Sequence, residues 1–271
     1  MSADAHSVLT DKSYLTGVQY QTGANLAARQ SIYAFQQPKI DLVASVLGLA
    51  RLAGTETVAD IGCGNGVYLA GLTRRGHAGR VLGIDLSPGM LAATRAAVPG
   101  ASLAIGDAAA LPLADGTADV TLAPHMLYHV PDPRAAVAEL RRVTRPGGQL
   151  LVVLNGNDHL AELRELTVAA AAAAGEPVTG IIADYEASFL VLTLDAGAEL
   201  LAEAFSSVQR HDFAAELLLP DAEPVAGYVA SLRAHGMPDP AGFTQAVCAR
   251  IPFGPDGRFR VRTHCGLLIC S

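Results

Sequence analysis

A short apolar strand that runs directly into three alternating glycines constrains the fold of this chain more than any other feature. Residues 58–66 read Val-Ala-Asp-Ile-Gly-Cys-Gly-Asn-Gly, and a helical pattern follows from Tyr68. Glycine has no Cβ, so it adopts positive φ readily and lets a ligand approach the backbone closely. A strand, a glycine loop and a helix in this order predict a nucleotide-binding crossover of an α/β sheet.

The spacing of the glycines narrows the kind of ligand. Dinucleotide-binding loops usually read G-x-G-x-x-G, whereas the segment from Asp60 to Gly66 reads D-x-G-x-G-x-G. An acid placed just before such a loop suits a ligand that presents a cationic amine there, and it does not suit a pyrophosphate.

Short apolar runs alternate with helical patterns along most of the chain. The runs lack strict polar alternation, which is typical of parallel strands covered by helices on both faces. The predicted strands are Thr57–Ile61, Arg80–Asp85, Ser102–Ile105, Ala118–Ala123, Gln149–Leu154, Ser207–Phe213 and Arg258–Ile269. Ser87-Pro88 and Asp132-Pro133 each provide an N-cap followed by a proline in the first helical turn. We therefore predict an α/β fold with a doubly wound, mostly parallel sheet.

The length of 271 residues allows one domain with a large core and an additional cap. We predict an N-terminal helical cap over residues 1–50 and a Rossmann-like domain over residues 51–271, with helical insertions at about 157–194 and 220–252. The hydrophobic content of 51% owes much to alanine, and no run of 18 strongly apolar residues is present. The N-terminus lacks a leader pattern, so we expect a cytoplasmic protein without a membrane partner.

The net charge and the cysteine content argue against a nucleic-acid partner and against disulfide bonds. The net charge is −7 and no long run of Lys or Arg is present, so nucleic acid is not an expected partner. The four cysteines form no C-x-x-C, which indicates reduced thiols. A metal site made of His264, Cys265 and Cys270 is conceivable, but a buried terminal strand over Arg260–Cys270 explains the same residues better. We predict no metal.

Two further acids follow predicted strands. In an open α/β sheet, ligands bind beyond the carboxyl ends of the strands. Asp85 ends the second strand and can accept hydrogen bonds from a ribose diol; its alternative role as a helix N-cap is filled better by Ser87. Asp107 follows the third strand and can accept from an adenine amine while Ala108 offers its backbone N–H. The alternative for Asp107 is an ordinary turn aspartate.

Together these features resemble the class I, Rossmann-like S-adenosylmethionine-dependent methyltransferases over about residues 55–155. Asp60–Gly66 matches the first motif of that family, Asp85 its ribose acid and Asp107 its adenine-side acid. Leu122–Pro133 and Arg145–Leu154 resemble its fourth- and fifth-strand motifs. The likeness is greatest to the small-molecule branch typified by ubiquinone and menaquinone methyltransferases. The resemblance implies a seven-stranded sheet in the order 3-2-1-4-5-7-6 with the last strand antiparallel.

The resemblance also implies roles for single residues toward S-adenosyl-L-methionine and its product S-adenosyl-L-homocysteine. Gly62 and Gly64 would contact the amino-acid end, and Asp60 would reach the ammonium through water. Leu86 would flank the adenine, and Ala123 and His125 would lie near the sulfonium. The N-terminal segment often closes over the cofactor in this branch, which makes Tyr20 and Arg29 candidates. Arg29 could pair with the methionine carboxylate, or it could be an exposed helix arginine.

Residues that could act on the acceptor are less well defined. His125 and His129 lie beside the expected transfer point, and either could serve as a general base. The alternative for His129 is a packing role with a hydrogen bond under the fifth strand. Other polar groups of the variable segments are acceptor-site candidates with no spacing that links them: Tyr14, Tyr33, Asp184, Tyr185, Glu186 and His235.

The sequence thus predicts a methyltransferase that acts on a small organic acceptor by in-line displacement, in secondary metabolism. Two alternatives stay open. An NAD-dependent oxidoreductase shares the strand, the glycines and Asp85, although it needs the third glycine one position later and leaves Asp107 unexplained. A protein of this fold that binds S-adenosylmethionine without transferring the methyl group is the other. The oligomeric state and the kind of acceptor atom are left open.

Overall fold

A mostly parallel β-sheet forms the centre of the molecule. The structure, a computed structural model, describes residues 10–189, 192–232 and 237–271. The strands are β1 (Gln36–Gln37), β2 (Val58–Ile61), β3 (Val81–Asp85), β4 (Ser102–Ile105), β5 (Ala118–Pro124), β6 (Thr144–Asn155), β7 (Val208–Leu219) and β8 (Phe259–Cys270). In this part of the chain they form one eight-stranded sheet in the order β1-β7-β8-β6-β5-β2-β3-β4.

The doubly wound α/β fold predicted from the sequence is confirmed. Without β1, the strand order is the one that the resemblance implies, and β8 runs antiparallel to both β6 and β7. The eighth strand was not predicted: Gln36 and Gln37 pair with Leu217 and Glu216 of β7. Two residues carry no periodic pattern, so only the tertiary pairing reveals this strand. Part of the predicted N-terminal cap therefore belongs to the sheet, and the division at residue 50 stays a prediction.

Two strands are longer than predicted, because pairing continues beyond their apolar centres. β6 begins at Thr144, which pairs with Ala118 before a register shift in β5. β7 continues to Leu219, since it pairs with β8 along its whole length.

Helices cover both faces of the sheet and form the insertions. They are α1 (Lys12–Tyr14), α2 (Ala24–Ser31), α3 (Leu42–Leu49), α4 (Val67–Arg74), α5 (Pro88–Ala97), α6 (Pro133–Val143), α7 (Ala161–Ala174), α8 (Val178–Phe189), α9 (Leu194–Ala204), α10 (Glu223–Ser231) and α11 (Pro240–Cys248). A π-helix (Leu15–Gln19) and two 3-10 helices (Ile32–Phe35 and Leu127–His129) complete the set. The predicted caps hold: Ser87 Oγ accepts from Met90 N at 3.3 Å, and Asp132 Oδ1 accepts from Ala135 N at 3.0 Å.

Hydrophobic cores lie on both faces of the sheet. Leu150 and Val152 of β6 pack into one core with α6 and α9, while Leu151 and Val153 pack into the other with α3 and α4. All four side chains are buried. Burying each such side chain contributes about 1.5–3 kcal/mol, and this alternation explains why the sequence of β6 is apolar throughout.

A third core joins the insertion helices to the end of the sheet. Ile32, Leu217 and Val261 pack there against buried residues of α7, α8, α10 and α11. The insertions therefore stand over the β7–β8 side of the sheet, next to the carboxyl ends of β5 and β6. In the described part of the chain, no helix has the length and apolar character needed to cross a bilayer.

Candidate functional site

A cleft opens at the carboxyl ends of β2, β3 and β5, where the strands meet the N-terminal segment. It encloses about 1100 Å³ of empty space, including its open mouth. Many of the residues predicted from the sequence line it: Tyr20, Gly62, Gly64, Asp85, Leu86, Asp107, Ala108, His125 and His129. The fold thus brings together residues spread over more than a hundred positions of the chain.

The glycine loop has a backbone that only glycine adopts easily. Gly62, Gly64 and Gly66 have φ values of 69°, 55° and 77°, in the left-handed region that side chains disfavour. A Cβ on Gly62 would also lie 2.7 Å from Met126 Cβ, and one on Gly66 would lie 2.8 Å from Thr94 Cγ2. Conformation and close packing both require glycine here, and the backbone stays open to a ligand.

Asp85 braces this loop from the end of β3. One carboxylate oxygen accepts from Gly64 N and the other from Ser87 N, both at 2.8 Å. Burial raises the pKa of Asp85, while these backbone hydrogen bonds oppose the rise. A carboxylate has about four acceptor positions, so Asp85 can hold the loop and still accept from a diol in the cleft. Ser87 carries the N-cap, as expected.

Asp60 is a buried carboxylate beneath the loop. It is 0% exposed, and neither of its oxygens has a hydrogen-bond partner among the described residues. Burial and the neighbouring charge of Asp85 raise its pKa well above the usual range. An isolated buried carboxylate costs several kcal/mol. A cationic group bound above the loop would offset this cost for Asp60, and the attraction would stabilise the cation as well. Asp60 lies one residue before Ile61 and Gly62, which line the cleft.

Asp107 faces the cleft mouth with a partner that the sequence did not indicate. Its carboxylate forms an ion pair with Lys12 and accepts from Ala109 N at 3.0 Å. Burial raises its pKa, but the Lys12 ammonium and the Ala109 N–H outweigh burial and lower it. Lys12 lines the cleft and belongs to α1. An isolated lysine in a polar N-terminal stretch carries no sequence signal for this position.

Ala123, which was predicted to lie near the sulfonium, is absent from the residues that line the cleft. Ala123 is 0% exposed and belongs to the core, so its side chain does not line the cleft. The next three residues, Pro124, His125 and Met126, form that wall instead. Successive side chains of a strand point to opposite faces, and β5 leaves the sheet only after Pro124, which still pairs with Val153 of β6.

His125 sits at the turn where β5 ends. Its φ is +54°, which is uncommon for a residue with a side chain, and its N–H donates to Val153 O at 2.9 Å. Burial lowers the pKa of His125 to about 4, so the imidazole is neutral at pH 7. A neutral imidazole at the cleft wall can accept a proton.

Tyr20 and His129 connect the N-terminal segment to the segment after β5. The Tyr20 hydroxyl lies 2.9 Å from His129 Nε2, and Ser87 Oγ donates to Tyr20 O at 2.7 Å. Arg29 packs against the ring of Tyr20. Its guanidinium carbon lies 5.3 Å from the centre of the Tyr20 ring, and Arg29 does not line the cleft. The predicted pairing of Arg29 with a bound carboxylate gains no support from this position.

The acceptor-site candidates separate into different environments. Tyr33 Oη lies 2.9 Å from His159 Nε2, and Glu186 Oε2 lies 3.1 Å from Arg164 Nε. Tyr14 instead donates its hydroxyl to Leu232 O at 3.1 Å. His235 and the side chain of Tyr185 lie outside the described residues. Nothing in the sequence pointed to His159, which follows β6 without a motif.

The conceivable metal site of the C-terminal strand does not form. The two ring nitrogens of His264 lie 2.7 Å from Asp158 Oδ1 and 2.8 Å from Asp212 Oδ1. Cys265 and Cys270 carry free thiols whose pKa values burial raises to about 12. Within the described ranges no group of three or more metal-ligating side chains is present. The alternative of a buried terminal strand is the one that the structure contains.

The segment that holds the glycine loop and the central strands is similar to known proteins of one family. Residues 59–152 match the family model described as a methyltransferase domain. The malonyl-acyl-carrier-protein O-methyltransferase of Serratia marcescens is 35% identical over 123 residues, 45% of this chain and 48% of the relative. The chain spans less than half the length of the curated relatives that it matches here, between 29% and 48% of each.

Solved structures share the fold over most of the chain. A structure described as that of a putative methyltransferase, from Bacillus halodurans C-125, has a TM-score of 0.61 at 21% identity and covers 85% of this chain and 98% of that one. The cyclase SpnF has a TM-score of 0.53 at 20% identity and covers 85% of this chain and 79% of that one.

The sheet order is that of a Rossmann-like α/β fold, and residues 59–152, which hold the glycine loop and its acids, are similar to the methyltransferase-domain family.

Proposed function

We propose that this protein transfers the methyl group of S-adenosylmethionine to a small organic acceptor, as a step of secondary metabolism. The observation that carries the proposal is the pair of acids on either side of the glycine loop. Asp85 faces the cleft while bound to Gly64 N, and Asp60 lies beneath the loop without a partner among the described residues.

The residues present fit this cofactor. The open backbone of Gly62 and Gly64 and the buried carboxyl group of Asp60 would receive the amino-acid end. Asp85 would accept from the ribose hydroxyls, and Leu86, Asp107 and Ala108 would receive the adenine. When bound, the cofactor supplies a methyl group already activated on a sulfonium. The protein has mainly to align the nucleophile, and alignment contributes about 7–11 kcal/mol.

The cleft wall formed by the segment after β5 offers two imidazoles as general bases for the acceptor. His125 is neutral and part-buried at the end of β5, and His129 is held by the hydroxyl of Tyr20. Either imidazole can take a proton from an acceptor that must lose one. The Serratia relative is named for O-methylation of a malonyl group on acyl carrier protein. A small organic acceptor group is in keeping with that name.

A ligand-dependent melting experiment tests the cofactor. A ligand at one hundred times its Kd stabilises the folded state by about 2.7 kcal/mol. We expect S-adenosylhomocysteine to raise the Tm of the full chain and NAD to leave it unchanged. The reverse result would select the oxidoreductase. Incubation with S-adenosylmethionine and candidate acceptors, followed by mass spectrometry, then separates transfer from binding alone: transfer adds one methylene mass and releases S-adenosylhomocysteine.

A further inference from the structure

The N-terminal segment rests against the first turn of α5, and a single glycine makes this contact possible. Gly89 is the second residue of that helix. A Cβ on Gly89 would lie 2.0 Å from Gln21 O and 3.0 Å from Gln21 C. A backbone carbonyl cannot turn aside as the end of a flexible side chain can. Any residue other than glycine at this position would therefore displace the chain at Gln21.

Neither the conformation nor the local packing of Gly89 calls for glycine. Gly89 has no positive φ, and it lies in an α-helix, where alanine is more favourable than glycine. Apart from the Gln21 carbonyl, the nearest atom to an added Cβ is Ser87 Oγ at 3.6 Å, an ordinary van der Waals contact. Among the described residues, the contact with Gln21 is thus what requires glycine here.

The N-terminal chain forms a compact turn where it meets α5. Ser87 Oγ donates to Tyr20 O at 2.7 Å and thereby ties the turn to the helix. Asn25 Nδ2 donates to the carbonyl oxygens of Val18 and Gln19, each at 3.3 Å. Carbonyl oxygens that lie against the first turn of a helix also face the positive end of its dipole. Because the turn is tied within itself, we expect it to move as one unit when it is pushed away from α5.

The same turn carries Tyr20 into the cleft. Tyr20 Oη lies 2.9 Å from His129 Nε2, and both residues line the cleft. On the other side of the turn, Ser87 N donates to Asp85 Oδ1 at 2.8 Å. One hydrogen-bonded path thus runs from Asp85 through Ser87 and Tyr20 to His129, and the contact at Gly89 lies beside the middle of it.

We propose that Gly89 is a positioning residue for the cofactor site: the lack of a side chain at this position seats the N-terminal turn on α5, and the seated turn holds Tyr20 against His129 across the cleft. The inference rests on the proposed methyl transfer, because it takes the cleft as the cofactor site. A Cβ here leaves the glycine loop and its acids in place but opens the cleft on the side of the N-terminal segment. A site that closes around its ligand loses affinity when its closing element is displaced.

Two alanine substitutions that are alike in kind but differ in surroundings test the assignment. Gly89→Ala introduces the conflict with Gln21. Gly48→Ala adds the same methyl group to a glycine of α3 that has nothing within 4 Å of the new Cβ and no positive φ. Isothermal titration calorimetry of the full chain with S-adenosylhomocysteine gives both Kd values. We expect the Kd to rise at least tenfold in Gly89→Ala and to change less than twofold in Gly48→Ala. An unchanged Kd in Gly89→Ala would overturn the inference.

Hydrogen exchange distinguishes a displaced segment from a weakened fold. In Gly89→Ala without ligand, we expect the amides of residues 12–31 to exchange faster than in the wild type, while those of β2, β3 and α5 keep their rates. Wild-type exchange over residues 12–31 would mean that the Cβ is accommodated without displacement, which contradicts the proposal. Faster exchange throughout the sheet would assign Gly89 to the stability of the fold and would also overturn a positioning role.

A double-mutant cycle shows whether Gly89 acts through Tyr20. Tyr20→Phe removes the hydroxyl that faces His129, and that loss matters only while the turn is seated. We expect Tyr20→Phe to raise the Kd for S-adenosylhomocysteine roughly three- to tenfold in the wild type and less than twofold when it is added to Gly89→Ala. Additive effects of the two substitutions would contradict action through the Tyr20–His129 contact.

Failure of the proposed function looks different from failure of this inference. If S-adenosylhomocysteine does not bind the wild-type chain, the proposed cofactor is wrong, and a positioning role toward it falls as well. If the ligand binds the wild type, Gly48→Ala and Gly89→Ala with equal affinity, the cofactor site stands and only the role of Gly89 is refuted.

Discussion

The Tyr20 hydroxyl lies 2.9 Å from His129 Nε2, and this contact joins the N-terminal segment to the segment that follows β5. The two residues are 109 positions apart in the chain. Ser87 Oγ holds the backbone of Tyr20 at 2.7 Å on the other side. The N-terminal segment is therefore fixed over the cleft at two points, one near the ribose acid and one near the imidazoles.

Removal of the Tyr20 hydroxyl should loosen this closure. We expect Tyr20→Phe to weaken S-adenosylhomocysteine binding roughly three- to tenfold, since a buried hydrogen bond contributes about 0.5–1.5 kcal/mol. Isothermal titration calorimetry measures the change. Tyr14→Phe removes the same atom from the same segment but outside the cleft lining, and should change the Kd less than twofold. Equal effects of the two variants would contradict a role of the Tyr20–His129 contact in cofactor closure.

Asp85 should be indispensable for the cofactor and dispensable for the fold. Asp85→Ala removes the acceptor for Gly64 N and the one offered to a ribose diol, so we expect the Kd for S-adenosylhomocysteine to rise at least a hundredfold. The far-ultraviolet circular dichroism spectrum should be unchanged. The control is Asp115→Ala, because Asp115 pairs with Arg142 at the surface. Retained affinity in Asp85→Ala would exclude Asp85 from the site.

Gly66 combines a left-handed backbone with a close neighbour. Its φ is 77°, and an added Cβ would lie 2.8 Å from Thr94 Cγ2. We expect Gly66→Ala to lower the free energy of unfolding by about 1–3 kcal/mol, from strain and steric conflict together. Urea denaturation measures it. Gly100→Ala, with nothing within 4 Å of the new Cβ and no positive φ, should stay within about 0.5 kcal/mol of the wild type.

The stability of the C-terminal strand should depend on pH through His264. Burial lowers the pKa of this imidazole, but its hydrogen bonds to Asp212 and Asp158 outweigh burial and raise it. A raised pKa in the folded state means that His264 stabilises the fold fully below its unfolded value of about 6.5. That contribution is lost as the pH rises through the folded pKa.

The variant His264→Gln isolates this effect from the other histidines. Urea denaturation of wild type and variant between pH 5.5 and pH 9 gives the difference in unfolding free energy. We expect the advantage of the wild type to be largest at the acidic end and to shrink as the pH rises. A difference that grows with pH would contradict the assignment. Asp158 and Asp212, whose pKa values are lowered, contribute stability that is constant across this window and is lost only as the pH falls below about 4.

The central sheet was predictable because its signals are local. Asp85 ends its own strand and Gly66 precedes its own helix, so neighbouring residues suffice to place both. β1 was not predictable, since Gln36 and Gln37 become a strand only by pairing with β7. The same applies to Ala123: the apolar run places it at the strand end, but the turn at His125 decides which side chains face the cleft.

The sequence by itself determined the glycine loop, the acids at the strand ends and the alternation of strands and helices, because each depends on residues a few positions apart. The order of the strands came from the resemblance to a known family. Only the tertiary structure decided which distant groups meet. Lys12 reaches Asp107, and Tyr33 reaches His159 across 126 positions. Such contacts depend on how the N-terminal segment and the insertions pack over the sheet, and packing of this kind leaves no periodic trace in the chain.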